Sequence, residues 1–360
     1  MQDKTKNKII TIGFVILIFA VLLINILSKD KEISIAERRK LAQFPEISSE
    51  RVLNGKAINE WEKYVEDQFI ERDLFRNIKL FWNMNIFAQK DNNQLFEKEN
   101  AIYKMEYPLK ENNIKNSTKK IKELCKTYLK DMNIYYSIIP DKNHYLKNDD
   151  HLKIDFNEVE RIVKKELLEY KYIDITNTLQ LEDYYKTDLH WKQENLQDVV
   201  QIIKKNMALS SIKPNYNIEN KGDFYGAYYG QLTTKVSPDK LYILTNKTIE
   251  NCITYNYETQ KYDKIYTVNK SSDKYDIFVS GATPLISIEN PNCQSEKELL
   301  LFRDSFGSSI APLLIENYSK ITLIDLRYIS SELLTKYIEF NNQDVLFLYS
   351  TLILNQNIFK

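Results

Sequence analysis

The sequence predicts an α/β protein with a mainly parallel sheet and helices on both faces, preceded by one long apolar helix. Two β-prone runs, 132–140 and 343–350, are typical of buried strands. Between such runs, segments such as 156–168 carry apolar residues at helical spacing. Strands that alternate with helices favour a parallel sheet with helices packed on both of its faces.

Residues 119–360 are expected to form the main domain. The elements predicted there are helices at 119–129, 156–168, 196–203, 306–318 and 330–339, and strands at 132–140, 172–175, 299–303, 320–326 and 343–350. Residues 210–297 differ, since they are rich in Asn, Lys, Tyr and Ser and contain the glycines of 222–230. This region is interpreted as an insertion of short strands and loops near the carboxyl edge of the sheet, where ligands bind in such folds.

The N-terminal segment predicts a membrane location. Residues 9–27 are almost entirely apolar, and at about 1.5 Å per residue their helix spans close to the ~30 Å hydrocarbon core. A cleaved signal peptide is the alternative, although its apolar region is usually shorter and is followed by small residues. We expect residues 1–28 to be a cytoplasmic tail and transmembrane anchor, with the catalytic domain on the extracytoplasmic side. Residues 29–118 would be a linker and membrane-proximal helical region, with one or two amphipathic helices within 49–89.

Composition excludes two broad classes. The 50 basic residues equal the 50 acidic ones, so no basic field supports nucleic-acid binding. Three widely spaced cysteines, Cys125, Cys252 and Cys293, give neither a disulfide framework nor a zinc pattern.

Two short stretches carry candidate chemistry. The first, 187–191, places Asp188 two residues before His190, one of only three histidines. The second, 299–309, is typical of a buried strand that turns into a helix, with Ser305 at the corner. These are the parts of a Ser-His-Asp site, in which Ser305 is the nucleophile, His190 the base and Asp188 its orienting partner. The competing interpretations are a serine that only caps the helix and an Asp-x-His metal ligand.

Both stretches also resemble the DHHW family. Residues 184–191 (YYKTDLHW) resemble its Tyr-x-x-Thr-Asp-x-His-Trp motif, and residues 300–312 (LLFRDSFGSSIAP) resemble its Asp-Ser-Phe block. Glu37-Arg38-Arg39 to Pro45, then Asp67-Gln68-Phe69 and Arg72, are similar to the family's membrane-proximal region, and 222–226 to a loop after the Asp-His motif. The family is related to the alginate O-acetyltransferase proteins AlgJ and AlgX, whose catalytic domain is SGNH-hydrolase-like.

The resemblance implies a three-layer α/β/α SGNH-hydrolase-like domain with circularly permuted motif order. It implies a membrane-anchored acyltransferase that O-acetylates a cell-envelope or secreted polysaccharide through an acetyl-serine, with a membrane O-acyltransferase as acetyl donor. A carbohydrate O-acetyl esterase with the same triad, or a non-catalytic scaffold or polysaccharide-binding component of an export complex, are the alternatives. No glycine-rich nucleotide fingerprint is present, so we expect no cofactor and no direct binding of acetyl-CoA.

The sequence departs from the family pattern at two positions. Leu189 replaces a histidine of the family's name, and Arg303 stands where a glycine often precedes Asp-Ser, beside the site. The Ser305 amide is the expected oxyanion donor, and Asn355 is a second candidate.

Overall fold

A computed structural model describes residues 2–34, 39–210, 212–232, 236–267 and 273–360. The chain divides into two compact units, residues 1–92 and 93–360. Glu37 and Arg38 of the predicted membrane-proximal motif, and parts of the 210–297 region, lie outside the described residues.

The first unit is mostly helical. Its elements are α1 Gln2–Leu27, the paired strands β1 Ile33–Ser34 and β2 Arg39–Lys40, α2 Ser49–Leu53, α3 Lys56–Gln68, α4 Arg72–Phe81 and a π-helical turn at Trp82–Ile86. Between Lys4 and Leu27, α1 is long and apolar enough to cross a membrane, and none of that apolar window is buried by the rest of the chain. One or two amphipathic helices were expected within 49–89, and the structure has three helices there, α2, α3 and α4.

The second unit contains the remaining strands and helices. The strands are β3 Leu95–Lys98, β4 Ala101–Lys104, β5 Ile134–Ile139, β6 Lys171–Tyr172, β7 Asn217–Phe224, β8 Asp239–Thr245, β9 Ile253–Asn256, β10 Lys261–Asp263, β11 Leu285–Glu289, β12 Glu298–Arg303, β13 Lys320–Ile324 and β14 Asp344–Ser350. The α-helices are α5 Glu111–Tyr128, α6 Phe156–Glu166, α7 Gln197–Asn206, α8 Lys247–Asn251, α9 Ser305–Leu314, α10 Ser331–Leu334 and α11 Thr351–Leu354.

Eight of these strands form the main sheet, in the order β10-β9-β11-β13-β12-β14-β5-β6. The five strands from β13 to β6 are parallel, and the other three continue the sheet in antiparallel pairs. Buried residues of α7 and α9 pack on one face and those of α5 and α6 on the other. The predicted mainly parallel sheet with helices on both faces is confirmed, and every residue of β5 and β14 is buried, as central strands require.

The structure differs from the sequence prediction in four places, and the first is the strand expected at 172–175, which is limited to Lys171–Tyr172. Strands β9 to β11 belong to the main sheet, whereas the region 210–297 was expected to be an insertion of short strands and loops near the sheet's carboxyl edge. Among the described residues of that region, the β7–β8 pair is separate from the sheet. The helix expected at 330–339 is limited to Ser331–Leu334, because the Leu334 carbonyl accepts from Tyr337 and tightens the turn. Helix α5 begins at Glu111, so the expected boundary at 118/119 falls inside it.

The parallel strands bring three chain turns to one edge of the sheet. The ends of β12, β14 and β5 lie side by side there, because Arg303 pairs with Leu348 and Ser350 with Ile139. The residues that follow these strands are Asp304 and Ser305 after β12, Thr351 after β14, and Pro140 to Lys142 after β5. This carboxyl edge holds the candidate site.

Candidate active site

Ser305 lies at the corner between β12 and α9. The side chain of Asp304 holds this corner: Oδ1 accepts from the Phe306 N–H at 3.0 Å, and Oδ2 accepts from the N–H and hydroxyl of Ser350 at 2.8 and 2.7 Å. Asp304 therefore caps α9 and ties it to the end of β14. Ser305 remains half-buried although the residues on both sides are fully buried, so its hydroxyl is accessible at the sheet edge.

Gly307 allows α9 to start this close to the strand. A Cβ atom at this position would lie 2.4 Å from the Cβ of Arg303, far inside van der Waals contact. Any other residue would push the first turn of α9 away from the end of β12 and move Ser305 with it. The glycine is thus needed to place the hydroxyl.

His190 contacts both other predicted site residues. Its Nε2 lies 2.7 Å from the Ser305 hydroxyl oxygen, and its Nδ1 lies 2.5 Å from Asp188 Oδ1. A carboxylate can only accept, so Nδ1 carries the ring proton and Nε2 is left to accept from the serine. The imidazole also stacks on the ring of Tyr275, with centroids 3.9 Å apart and planes at 9°.

Asp188 is fully buried, and both of its oxygens accept hydrogen bonds. Oδ1 accepts from the backbone N–H of His190 at 3.0 Å in addition to the ring, and Oδ2 accepts from the Ala227 N–H at 2.6 Å. Bonds from N–H groups to a carboxylate stabilise its ionised form. Asp188 is therefore held as an anion in one orientation.

The loop that carries Asp188 is fixed by the β7–β8 pair. Asp239, at the start of β8, accepts from the Lys186 and Thr187 N–H groups at 2.9 Å each and from the Thr187 hydroxyl at 2.6 Å. That hydroxyl in turn accepts from the Gly226 N–H at 2.8 Å. A Cβ at Gly226 would lie 2.2 Å from the Thr187 carbonyl oxygen and 2.4 Å from the Asp188 Cβ, so only glycine fits.

A buried lysine lies beneath the same loop. Lys142, three residues after β5, donates from Nζ to the backbone carbonyls of Tyr185, Lys186 and Asp188 at 3.0, 3.3 and 2.8 Å. Its Nζ also lies 5.0 Å from the ring centre of Tyr103 and 5.2 Å from that of Tyr228. Burial lowers the pKa of Lys142 to about 8, opposed by the nearby charges of Asp141, Asp188 and Asp239.

Trp191 and Tyr275 connect the histidine segment to α9. The indole Nε1 of Trp191 donates to the Phe306 carbonyl at 3.1 Å and to the Ser309 hydroxyl at 2.9 Å. The hydroxyl of Tyr275 donates to the same Ser309 oxygen at 2.9 Å. His190 and Ser305, 115 residues apart, are thus fixed relative to each other by contacts behind them.

The structure brings Asp188, His190 and Ser305 together at the predicted edge of the sheet. Arg303 is fully buried and is directed into the protein, donating to the Gly281 carbonyl at 3.3 Å and pairing with Asp325 at 3.6 Å, so it leaves Ser305 accessible. The side chain of Asn355 contacts the segment 108–110 instead: its oxygen accepts from the Lys110 N–H at 2.7 Å and its nitrogen donates to the Pro108 carbonyl at 3.2 Å.

Sequence reasoning missed three contributors, Lys142, Asp239 and Tyr275. Lys142 and Asp239 are single charged residues among 100, and Tyr275 is one of 25 tyrosines, so no spacing distinguishes them. The glycines of 222–230 were a usable sequence signal for the site, because Gly226 packs directly against Thr187 and Asp188. Within the described part of the chain, no group of three or more His, Cys, Asp or Glu side chains is placed to hold a metal ion.

The fold and the site define a class of protein. A mainly parallel α/β/α sandwich that carries an Asp-x-His segment before a serine at a strand-to-helix corner is an SGNH-hydrolase-like fold with permuted motif order, as predicted. A family model matches part of the sequence. Residues 153–324 match the family described as DHHW protein, and the predicted resemblance to the DHHW family is confirmed.

Solved structures are similar to this chain over about three quarters of its length. A crystal structure of a DHHW family protein from Eubacterium siraeum has a TM-score of 0.63 at 17% identity, covering 74% of this chain and 95% of that one. PatB1 from Bacillus cereus has a TM-score of 0.61 at 22% identity, covering 75% of this chain and 99% of that one. A structure of PatB1 with a sulfonyl adduct has a TM-score of 0.60 at 22% identity, covering 74% of this chain and 96% of that one. No curated protein matches the sequence. At these identities the likeness shows the fold.

Proposed function

We propose that the chain is a membrane-anchored Ser-His-Asp acyltransferase that O-acetylates a cell-envelope or secreted polysaccharide through an acetyl-serine at Ser305. The observation that carries the proposal is the continuous path of hydrogen bonds from the Ser305 hydroxyl through both nitrogens of His190 to Asp188. A serine that only capped a helix would have no need of a histidine with a fixed tautomer behind it. Here the cap of α9 is Asp304, which leaves the serine hydroxyl for other use.

In the first half-reaction, Ser305 Oγ attacks the carbonyl carbon of an acetyl donor while His190 Nε2 takes the hydroxyl proton. The imidazolium that forms is stabilised by Asp188, which stays ionised. When the tetrahedral intermediate collapses, the bond to the donor's leaving oxygen breaks and that oxygen takes the proton from His190. The enzyme is left with an acetyl ester on Ser305.

In the second half-reaction, a sugar hydroxyl attacks the acetyl carbon and gives its proton to His190. The bond to Ser305 Oγ breaks, and the serine regains its proton from the imidazolium. The oxyanion of each intermediate would lie at the start of α9, where the helix dipole favours negative charge and the Ser305 amide is the proposed donor.

The location of the site suits a polymeric acceptor. Ser305 is half-buried at the sheet edge, so a hydroxyl on a long chain can reach it without the chain entering a closed cavity. The polysaccharide itself is proposed from the relationship of the DHHW family to alginate O-acetylation proteins. A membrane O-acyltransferase is the proposed acetyl donor, and α1 would anchor the chain with the catalytic domain outside the cell.

The sulfonyl adduct described for PatB1 offers further support. Sulfonyl reagents react with activated nucleophiles. An adduct of this kind in a protein of similar fold therefore supports the proposal that this chain has a nucleophilic serine. The same reagent class would be useful here as a probe.

The test is a partition experiment. The protein is incubated with an activated acetyl ester labelled in the acetyl group, and oligosaccharide acceptors from envelope polysaccharides are then added. Label released to sugar in an acceptor-dependent manner is the expected result. Release of label to water at a rate that no acceptor changes would identify an esterase. Release no faster than that measured with the Ser305→Ala variant would identify a scaffold.

A further inference from the structure

We propose that residues 72–87, which comprise α4 and the π-helical turn, lie in the headgroup–acyl boundary of the bilayer that α1 crosses. The inference rests on the proposed membrane anchoring and adds a second contact between this chain and lipid. The occupant of the surface is the lipid itself, and the surface is distinct from the Ser305 site.

The first observation is a hydrogen bond that fixes where α4 begins. Asn25, a polar residue in the last turn of α1, accepts from the Ile70 N–H through its side-chain oxygen at 2.7 Å. Its amide nitrogen donates to the Val21 carbonyl at 2.9 Å. The chain two residues before α4 is thus held at the end of the apolar helix, where that helix leaves the hydrocarbon core.

Neighbouring contacts hold the end of α3 against the residues that follow α1. The side-chain amide of Gln68 accepts from the Lys31 N–H and donates to its carbonyl, at 2.9 Å each. The Tyr64 hydroxyl donates to Asp30 at 3.1 Å. The exit of α1 and the approach to α4 therefore form one packed connection within the first unit.

The second observation is an apolar surface that the described chain leaves uncovered. On one side of α4 and the turn, large side chains are between 43% and 66% exposed: Leu74, Phe75, Ile78, Phe81, Trp82 and Phe87. Only Leu80 of α4 is buried, and it lies on the opposite side of the helix. A soluble helix would normally direct such a stripe toward its own core.

The charges around this stripe suit a phospholipid surface. Arg72, Arg76 and Lys79 against Asp73 leave α4 with two more basic than acidic side chains. At helical spacing Arg72 and Lys79 lie beside one margin of the apolar stripe, as in helices that lie in an anionic interface with aromatic side chains buried by about 5–10 Å. Arg76 lies on the far side of the helix and pairs with Asp73 at 3.5 Å. Trp82 is well suited to this depth, because indole prefers the membrane–water boundary.

The test uses tryptophan fluorescence of the full chain in vesicles of phosphatidylcholine and phosphatidylglycerol. The chain has three tryptophans, and Trp191 is fully buried in the second unit. In a Trp61→Phe background, emission of Trp82 is compared in vesicles whose phosphatidylcholine is brominated either near the headgroup or near the acyl terminus. We expect quenching by shallow bromine, weaker quenching by deep bromine, and loss of both on further Trp82→Phe substitution.

A second variant separates this proposal from the anchoring on which it rests. Phe19→Trp, in a background without Trp61 and Trp82, reports whether α1 inserts, and deep bromine should quench it. If Phe19→Trp is quenched while Trp82 is not quenched by either lipid, the interfacial position of residues 72–87 is wrong although the anchor holds. If neither is quenched, both the anchor and the inference fail. Neither result bears on acetyl transfer at Ser305.

Discussion

The two ends of the Asp188–His190–Ser305 path differ in how they are held. Asp188 is fully buried and accepts hydrogen bonds from the ring and backbone N–H of His190 and from the Ala227 N–H. It lies on a loop fixed by Asp239 and Lys142. Ser305 is half-buried, and its hydroxyl contacts His190. The difference separates two tasks: the buried end sets the orientation and tautomer of the imidazole, and the accessible end is free to bond to an acyl group. Substitutions at the two ends should therefore affect activity and stability in different ways.

The largest effect is expected at the accessible end. Ser305→Ala and His190→Ala should each lower kcat/KM for a small activated acetyl ester by about 10⁴-fold or more, and the double variant should be scarcely worse. The reason is that the nucleophile and base act as a unit. The measurement is steady-state hydrolysis or transfer, with circular dichroism to confirm folding.

Ser308→Ala provides the matched control. Ser308 lies one turn into α9 and is buried, and its hydroxyl has no hydrogen-bond partner in the described structure. Its removal should leave kcat/KM near that of the unmodified protein. Equal losses in Ser305→Ala and Ser308→Ala would mean that α9 had been disturbed and that the serine chemistry was not being measured.

At the buried end, Asp188→Asn should lower kcat by about 10⁴-fold through loss of the correct imidazole tautomer. It should also cost stability, because an amide nitrogen placed at Oδ2 would face the Ala227 N–H, donor against donor. Stability to urea and kcat are measured on the same preparation. Unchanged kcat would remove Asp188 from the mechanism.

A smaller effect is expected beneath the loop. Lys142→Met removes three hydrogen bonds to the carbonyls of Tyr185, Lys186 and Asp188, so the Asp188 loop should shift. A displacement of this kind can cost about 10²-fold in kcat. Lys142→Arg should not restore activity, because a planar guanidinium cannot direct its donors as an ammonium does. Loss of stability with kcat intact would make Lys142 purely structural.

Much of this arrangement was predictable from the sequence. Apolar runs such as 299–303 and 343–350 predicted central strands, and Ser305 was expected at the corner that follows one of them. The three proposed catalytic residues came from two motifs. The contacts that hold these residues could not be predicted from the sequence, because Lys142, Asp239 and Tyr275 reach the site only through tertiary packing. The pairing of β9 to β11 was missed for a similar reason: their register depends on β13, more than sixty residues beyond β9.

The last effect concerns stability and not activity, and it involves the buried carboxyl group of Glu106, which accepts from the Thr351 hydroxyl at 3.3 Å. Burial raises the pKa of Glu106 to about 8, and the negative charge of Asp141 adds to the increase, opposed by the Thr351 hydroxyl and Lys104. The folded state thus keeps a proton that the unfolded chain loses near the ordinary value of 4.5. The stability this supplies is complete below pH 4.5 and is lost as pH rises through about 8.

Glu106→Gln should flatten that dependence and raise the free energy of unfolding at pH 8, on the order of a few kcal/mol relative to the unmodified protein. Urea unfolding between pH 4.5 and 8 measures it. Glu97→Gln, at an exposed position of β3, serves as the control. A slope unchanged in Glu106→Gln would mean that another group sets the pH dependence.

The central claim, that Ser305 accepts an acyl group, is tested most directly by intact-protein and peptide mass spectrometry after incubation with an activated acetyl ester. We predict one acetyl group on the peptide that contains Ser305 and Ser308, assigned by fragmentation to Ser305. The adduct should be absent in Ser305→Ala, greatly slowed in His190→Ala, and retained in Ser308→Ala. An unmodified protein that forms no adduct, or an adduct that persists in Ser305→Ala, would contradict the account.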